Sequence, residues 1–103
     1  MRTELVEVRI LSRADCHLCH VVMKMTHRIQ AETPFALTPV DITADPALSG
    51  RYGTRIPVVF IDQVERFSGR VTEPQLRRAI RWARWTRPIS RILSRFGSFP
   101  ARG

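Results

Sequence analysis

The two cysteines of the chain stand three positions apart, in the stretch Cys16-His17-Leu18-Cys19. Unsatisfied backbone N–H groups at the start of a helix stabilise a thiolate, so a pair placed there can exchange electrons between a dithiol and a disulfide. A structural staple explains the pair poorly, because a disulfide across two residues hardly restricts the unfolded chain. We therefore predict a redox centre, in which Asp15 opposes the thiolate and a protonated His17 favours it.

The same stretch also contains residue types that bind zinc: Cys16, His17, Cys19 and His20. Two thiolates and two imidazoles satisfy tetrahedral zinc in number. On a single helix, however, positions 17 and 20 face away from at least one cysteine, and structural zinc sites normally draw ligands from separate segments. We predict no resident metal, and a metal-binding carrier remains the alternative function for these cysteines.

Length and charge place this centre in one small domain that carries a basic tail. A chain of 103 residues suits a single domain with its own core. Residues 1–69 balance eight Lys and Arg against eight Asp and Glu, whereas residues 70–103 hold nine Arg and only Glu73, so the net charge of +8 arises in the last third. This distribution argues against a nucleic-acid-binding fold. We divide the chain into a domain at residues 1–86 and a tail at 87–103 that is partly disordered or extends the last helix.

The first residues do not resemble a secretory signal, because Arg2, Glu4, Glu7 and Arg9 interrupt the apolar positions. No apolar run approaches the ~20 residues of a membrane span. We expect a cytoplasmic location, where thiols are kept reduced.

The elements that position the cysteines follow from the apolar spacing. Alternation over residues 5–11 predicts a strand with Val6, Val8 and Ile10 on one face. After Cys16, the residues Leu18, Val22, Met25 and Ile29 predict the buried stripe of a helix that ends before Pro34. The remaining predicted elements are a strand at 35–42 made edge-like by Pro39, a helix from Asp45-Pro46 to about Gly50, a buried strand at 58–61, a hairpin to residues 64–67 and a final helix capped by Thr72 and Gln75. This order predicts an α/β fold with a mixed four-stranded sheet.

The final helix carries two faces. Leu76, Ala79, Ile80 and Ala83 predict the side that packs on the sheet, and Pro88 should break or kink the helix. The sequence supports two interpretations of the rest: a basic amphipathic surface for an anionic surface or acidic partner, or tryptophans that dock on the domain followed by fraying of residues 88–103. The apolar set is Trp82, Trp85, Ile89, Ile92 and Phe96, and the opposite side holds Arg77, Arg81, Arg84, Arg87, Arg91 and Arg95.

Three stretches together resemble the short, glutaredoxin-like form of the thioredoxin fold: Cys16-His17-Leu18-Cys19, Thr54–Ile61 with its Ile56-Pro57, and Ser68-Gly69. The resemblance covers roughly residues 4 to 84. Asp41-Ile42, Asp45-Pro46-Ala47-Leu48 and Tyr52-Gly53 are similar to a small bacterial subgroup. The resemblance implies a four-stranded mixed sheet with helices on both faces. It also implies that Cys16 is the attacking thiol, that Cys19 is the resolving thiol, and that the Ile56-Pro57 bond is cis.

The resemblance further implies a substrate-docking surface beside the cysteines, in which the backbone of Ile56 bonds the bound thiol. Typical members have Pro and Tyr where this chain has His17 and Leu18, and a Gly-Gly before an acidic pair where this chain has Ser68-Gly69. We expect a monomer without a cofactor that acts on a protein disulfide or a small disulfide. Its electron donor would be a reductase or a low-molecular-weight thiol such as glutathione. The predicted substrate-binding residues are His17, Leu18, Arg55, Ile56, Pro57, Ser68 and Gly69, with Arg13 and Arg70 as further partners for a carboxylate.

Two alternatives remain beside the redox function. One is a metal or iron–sulfur carrier, in which Cys16 of two subunits and a small thiol ligate a cluster by analogy with the family. The other is a non-catalytic adaptor with this fold that acts through its basic tail.

Overall fold

The computed structural model describes the backbone of residues 5–95 and the side chains of residues 5–85. The elements are β1 (Glu7–Ser12), α1 (His17–Glu32), β2 (Ala36–Asp41), a short 3₁₀ turn (Ile42–Ala44), α2 (Pro46–Tyr52), β3 (Val58–Ile61), β4 (Val64–Ser68) and α3 (Glu73–Arg95). The predicted element order is confirmed, and only the 3₁₀ turn was not anticipated. In this part of the chain, no helix combines the length and apolar character that crossing a bilayer requires.

The four strands form one sheet in the order β2-β1-β3-β4. β1 runs parallel to β2 and antiparallel to β3, and β3 runs antiparallel to β4, so the sheet is mixed as predicted. β2 is an edge strand, which suits Pro39 because a proline cannot donate a hydrogen bond to a second neighbour. The β3–β4 hairpin turns at Asp62 and Gln63, both with positive φ.

Helices cover both faces of the sheet. On one face, Val6, Val8 and Ile10 lie in a core that also contains side chains of α1 and α3. On the other face, Leu11 and Val58 pack with Ile42 and Tyr52 near α2. The alternation of β1 therefore assigns its residues to two cores, and the strand that leads to Cys16 is held from both sides.

The buried stripe of α1 agrees with the predicted one at Val22 and Ile29 and differs from it at two positions. Its buried residues are Cys19, Val22, Thr26 and Ile29, whereas Leu18 and Met25 are only half-buried. Thr26 is tolerated in the core because its hydroxyl donates to the carbonyl of Val22 at 2.7 Å, which leaves no unpaired donor there. The prediction of Leu18 and Met25 as fully buried core residues is wrong, although Met25 packs against the main core.

Local caps fix the ends of the later helices as predicted. The Asp45 carboxylate accepts from the Ala47 N–H at 2.9 Å, with Pro46 at the first helical position. At α3, the Thr72 N–H donates to the Gln75 side chain at 2.9 Å, and the Gln75 N–H donates back to the Thr72 hydroxyl at 3.3 Å. This reciprocal pair is a capping box.

α3 differs from the prediction in two ways. Its predicted packing residues, Leu76, Ala79, Ile80 and Ala83, are all buried. The helix continues through Pro88 to Arg95, so the predicted break does not occur, whereas the predicted kink stays a prediction. Trp82 and Trp85 are 56% and 72% exposed, so neither ring is buried against the domain. The predictions for residues 96–103, Phe96 included, lie outside the described residues.

Candidate redox site

Cys16 is the N-cap residue of α1. Its backbone is extended, and its sulfur accepts a hydrogen bond from the Cys19 N–H at 3.2 Å. The sulfur therefore occupies the position that a serine or aspartate oxygen takes in an ordinary cap. The first turn of α1 contains no acidic residue, so no carboxylate on the helix offsets the partial positive charge of its start.

Cys16 and Cys19 are joined as a disulfide, with their Cα atoms 5.2 Å apart. Cys16 is half-buried, whereas Cys19 is 1% exposed within the core-facing stripe of α1. A molecule arriving from solvent therefore meets the sulfur of Cys16 first. The two sulfurs thus differ in access and in helix position, as a pair with distinct attacking and resolving thiols requires.

Strand register brings three loops together at the end of the sheet where the cysteines lie, next to the last residues of β1 and β4 and the first residue of β3. Leu11 pairs with Val58, so the chain leaves β1 at the same end of the sheet at which it enters β3. Val58 in turn pairs with Ser68, the last residue of β4. The segments that contain Cys16, Pro57 and Gly69 therefore begin or end side by side, as a shared site requires.

The Ile56-Pro57 segment lies at this end of the sheet with a cis peptide bond, as the resemblance implies. Pro57 is buried and Ile56 is half-buried. The Pro57 carbonyl accepts a hydrogen bond from the Gly69 N–H at 2.8 Å, which ties the loop before β3 to the loop after β4. Gly69 has a φ of +80°, a left-handed conformation that favours glycine. Ser68 beside it is exposed.

Charged groups near the cysteines are largely paired. Arg13 Nε donates to Asp15 Oδ1 at 2.9 Å, so the carboxylate that opposes a thiolate carries its own counter-charge. Arg70 is exposed and forms no ion pair with any residue of the described part. His17 is exposed and Leu18 is half-buried beside Cys16. Their roles in substrate binding remain predictions.

Arg55 is held by two residues whose role the sequence pattern did not reveal. Its guanidinium lies over the Tyr52 ring, 5.2 Å from the ring centroid, and forms an ion pair with Glu65 of β4. Tyr52 itself packs edge-on against Phe60 at a centroid distance of 6.1 Å. A substrate carboxylate would have to compete with Glu65 for Arg55. Arg55 lies in the loop before β3, whereas Glu65 is opposite Phe60 in the strand register, so neither spacing nor strand pairing signals this contact in the sequence.

Among the residues that the structure describes, no three His, Cys, Asp or Glu side chains are grouped so as to hold a metal ion. His20 and His27 are both exposed on α1.

Comparison with known proteins agrees with this geometry. The model of the family described as Glutaredoxin-like domain (DUF836) matches residues 7–81. An uncharacterised protein of Mycobacterium tuberculosis is 32% identical over 76 residues, which cover 69% of this chain and 78% of that protein.

Two solved structures illustrate the similarity in fold. A structural-genomics target from X. campestris has a TM-score of 0.64 and 28% identity, and the match covers 74% of this chain and 97% of that one. The thioredoxin of Fasciola hepatica has a TM-score of 0.61 at 22% identity over 78% of this chain and 82% of its own. The pair of cysteines fits a thiol redox role. Because the family model spans most of the sequence, the chain belongs to the Glutaredoxin-like domain (DUF836) family and has a thioredoxin-like fold.

Proposed function

We propose that the protein is a dithiol–disulfide oxidoreductase that reduces disulfides of proteins or small thiols through Cys16 and Cys19. The observation that carries the proposal is the unequal placement of the two sulfurs. Cys16 caps α1 and accepts the Cys19 N–H at 3.2 Å, whereas Cys19 is 1% exposed behind it. Membership of the glutaredoxin-like family supports the same chemistry.

In the proposed reaction, the Cys16 thiolate attacks one sulfur of the substrate disulfide. A Cys16–substrate mixed disulfide forms, and the other substrate sulfur leaves as a thiolate that takes a proton from solvent. The Cys19 thiol then loses its proton and attacks the Cys16 sulfur. The second substrate sulfur leaves as a thiol, the protein holds the Cys16–Cys19 disulfide, and two electrons have passed to the substrate. A low-molecular-weight thiol or a reductase returns them.

In this proposal, the substrate docks at the end of the sheet where the loop with Ile56 and Pro57 lies beside Gly69. The polar backbone groups of that loop pair would hold the substrate backbone or thiol beside Cys16, and the exposed Arg70 would meet a carboxylate. Arg55 is the weaker candidate for that contact because Glu65 already neutralises it.

The test follows reduced protein against hydroxyethyl disulfide by mass spectrometry. Wild type should release both halves of the disulfide and finish as the Cys16–Cys19 disulfide. Cys19→Ser should stop at a stable adduct that carries one half on Cys16, and Cys16→Ser should react slowly. Equal adduct formation on either cysteine would contradict the assignment of roles, and no adduct on any variant would contradict the proposed function. Iron and zinc content of protein purified without chelator serves as the control for the metal-carrier alternative.

A further inference from the structure

The second half of α3 extends beyond the helix that it packs against. Arg28 pairs with Glu73 at 2.7 Å, and Arg77 pairs with Glu32 at 3.0 Å. Both contacts join residues the same distance apart in sequence, so α1 and α3 run side by side in the same direction. Glu32 is the last residue of α1. The turns of α3 that follow Arg77 therefore pass the end of α1.

Two indole rings lie on this extension. Trp82 and Trp85 are 56% and 72% exposed, and their ring centroids are 5.9 Å apart. The buried residues Ala79, Ile80 and Ala83 of the same turns already face the core. A pair of tryptophans is a large apolar area to leave in water, and patches of this kind on a protein surface commonly mark an interaction site.

Arginines that form no ion pair with any described residue lie beside the two rings. Arg66 of β4 and Arg78 of α3 line a groove of about 340 Å³ together with Phe67, Gln75, Ala79 and Trp82. Arg81, Arg84 and Trp85 line a second depression of about 310 Å³. None of these four arginines forms an ion pair within the described part of the chain, and no carboxylate of that part lines either depression. The surface therefore suits an anionic partner.

The arrangement favours a bilayer surface over an acidic peptide. Indole rings prefer the headgroup level of a membrane, and basic residues beside them contact anionic lipids. The outer side of a helix is convex, which suits contact with a broad plane. The spacing of Trp82 and Trp85 continues in the sequence at Ile89 and Ile92, and α3 continues to Arg95. This periodicity in the sequence is typical of helices that lie in the interface.

We propose that this surface of α3, defined by Trp82, Trp85, Arg78, Arg81 and Arg84 with Arg66 beside it, binds anionic phospholipid headgroups at a bilayer surface. The indoles enter the interface and the guanidinium groups contact lipid phosphates. Cys16 stands at the opposite end of α1, roughly 24 Å from Glu32 for a helix of 16 residues. The bound protein would therefore keep its redox site away from the lipid, and the inference does not depend on the proposed redox function.

The test uses the protein's own fluorescence, because Trp82 and Trp85 are its two tryptophans. Full-length protein is titrated with vesicles of phosphatidylcholine alone and of phosphatidylcholine mixed with phosphatidylglycerol. The proposal predicts a blue shift and co-sedimentation with the anionic vesicles that high salt reverses. Each arginine near an anionic bilayer strengthens partition roughly fivefold, so Arg81→Gln/Arg84→Gln should weaken binding by about ten- to thirtyfold.

A matched control distinguishes binding by this surface from binding by the overall positive charge of the protein. Lys24→Gln/Arg51→Gln removes two exposed charges from α1 and α2, and it should leave vesicle binding almost unchanged. Trp85→Ala should weaken binding while the circular dichroism spectrum stays that of wild type. Equal binding to both kinds of vesicle, or an equal loss in the control, would overturn the proposal. A blue shift with polyglutamate but not with vesicles would also overturn it and assign the surface to an acidic protein.

Discussion

The sulfur of Cys16 caps α1 in the place of the usual oxygen, so the atom that caps the helix is also the atom proposed to react. A cap accepts a backbone N–H in any protein, and here the accepting atom is also the proposed nucleophile. The residue pattern predicted the position of Cys16 at a helix start. It did not predict that the Cys19 N–H is the donor, because spacing alone does not fix the side-chain rotamer of the cap.

Two glycines offer a matched test of backbone strain at this scale. Gly69 has a φ of +80° and open space where a Cβ would lie, so Gly69→Ala meets only the cost of a left-handed backbone, about 1–2 kcal/mol. Gly50 lies within α2, also with open space, and Gly50→Ala should raise the free energy of unfolding by about 0.5–1 kcal/mol. Urea denaturation of both variants measures the two changes. Similar shifts of the same sign would contradict this assignment of strain to Gly69.

At the scale of elements, α1 and α3 are joined through Glu73. The pKa of its carboxyl lies below the ordinary value of 4.5, chiefly because Arg28 donates a hydrogen bond to it. Partial burial opposes this shift, and the charges of Arg28 and Arg77 add to it. A carboxyl with a lowered folded pKa stabilises the protein fully above its unfolded pKa, and the stabilisation is lost as the pH falls through the folded value.

We therefore expect Glu73→Gln to lower the melting temperature at pH 7 and to flatten its decline below about pH 4.5. Arg28→Met and the double variant complete the cycle. If the loss is additive, so that Glu73→Gln costs as much without Arg28 as with it, the contact does not couple the two helices.

The two faces of α3 should respond differently to truncation. Ile80 is 0% exposed in the main core, so Ile80→Ala should lower the free energy of unfolding by about 2–5 kcal/mol. Trp85 on the same helix is 72% exposed, and Trp85→Ala should change it by about 0.5 kcal/mol or less. Chemical denaturation gives both values. A large loss for Trp85→Ala would mean that this ring supports the fold instead of standing outside it.

Most elements could be predicted because their signals are local. The β-branched run at Val58–Ile61, the cap at Asp45 and the box at Thr72 each depend on residues a few positions apart. The errors arose where the residue type alone predicts the wrong environment. Thr26 is polar but buried, because its hydroxyl donates to the Val22 carbonyl of the same helix, and α3 passes Pro88 although a proline predicts an interruption.

The sequence predicted the main segments of the candidate site but not every contact within it. The cysteine pair, the cis Ile56-Pro57 bond and Gly69 were anticipated from motif and resemblance, and strand register brings their segments to one end of the sheet. The engagement of Arg55 by Tyr52 and Glu65 was not anticipated, because it depends on how β4 lies beside the loop before β3.

On the scale of the whole molecule, the cysteine pair and the arginine-rich segment lie in different places. Residues 1–69 are balanced in charge, while the excess of arginine lies in residues 70–103. The Cys16–Cys19 pair lies at the start of α1, and the arginine and tryptophan surface lies past its end. In the two proposals, this separation would let one end react with disulfides while the other binds a bilayer surface.

The rate of alkylation of the reduced protein against pH, resolved by mass spectrometry into Cys16 and Cys19, tests the redox proposal most directly. A metal-chelated sample is the control. The proposal predicts that Cys16 reacts first, with an apparent pKa clearly below the ~8.5 of a free thiol, because the start of α1 stabilises its thiolate. Slow reaction of both thiols with ordinary pKa values, or reaction only after chelation, would contradict it.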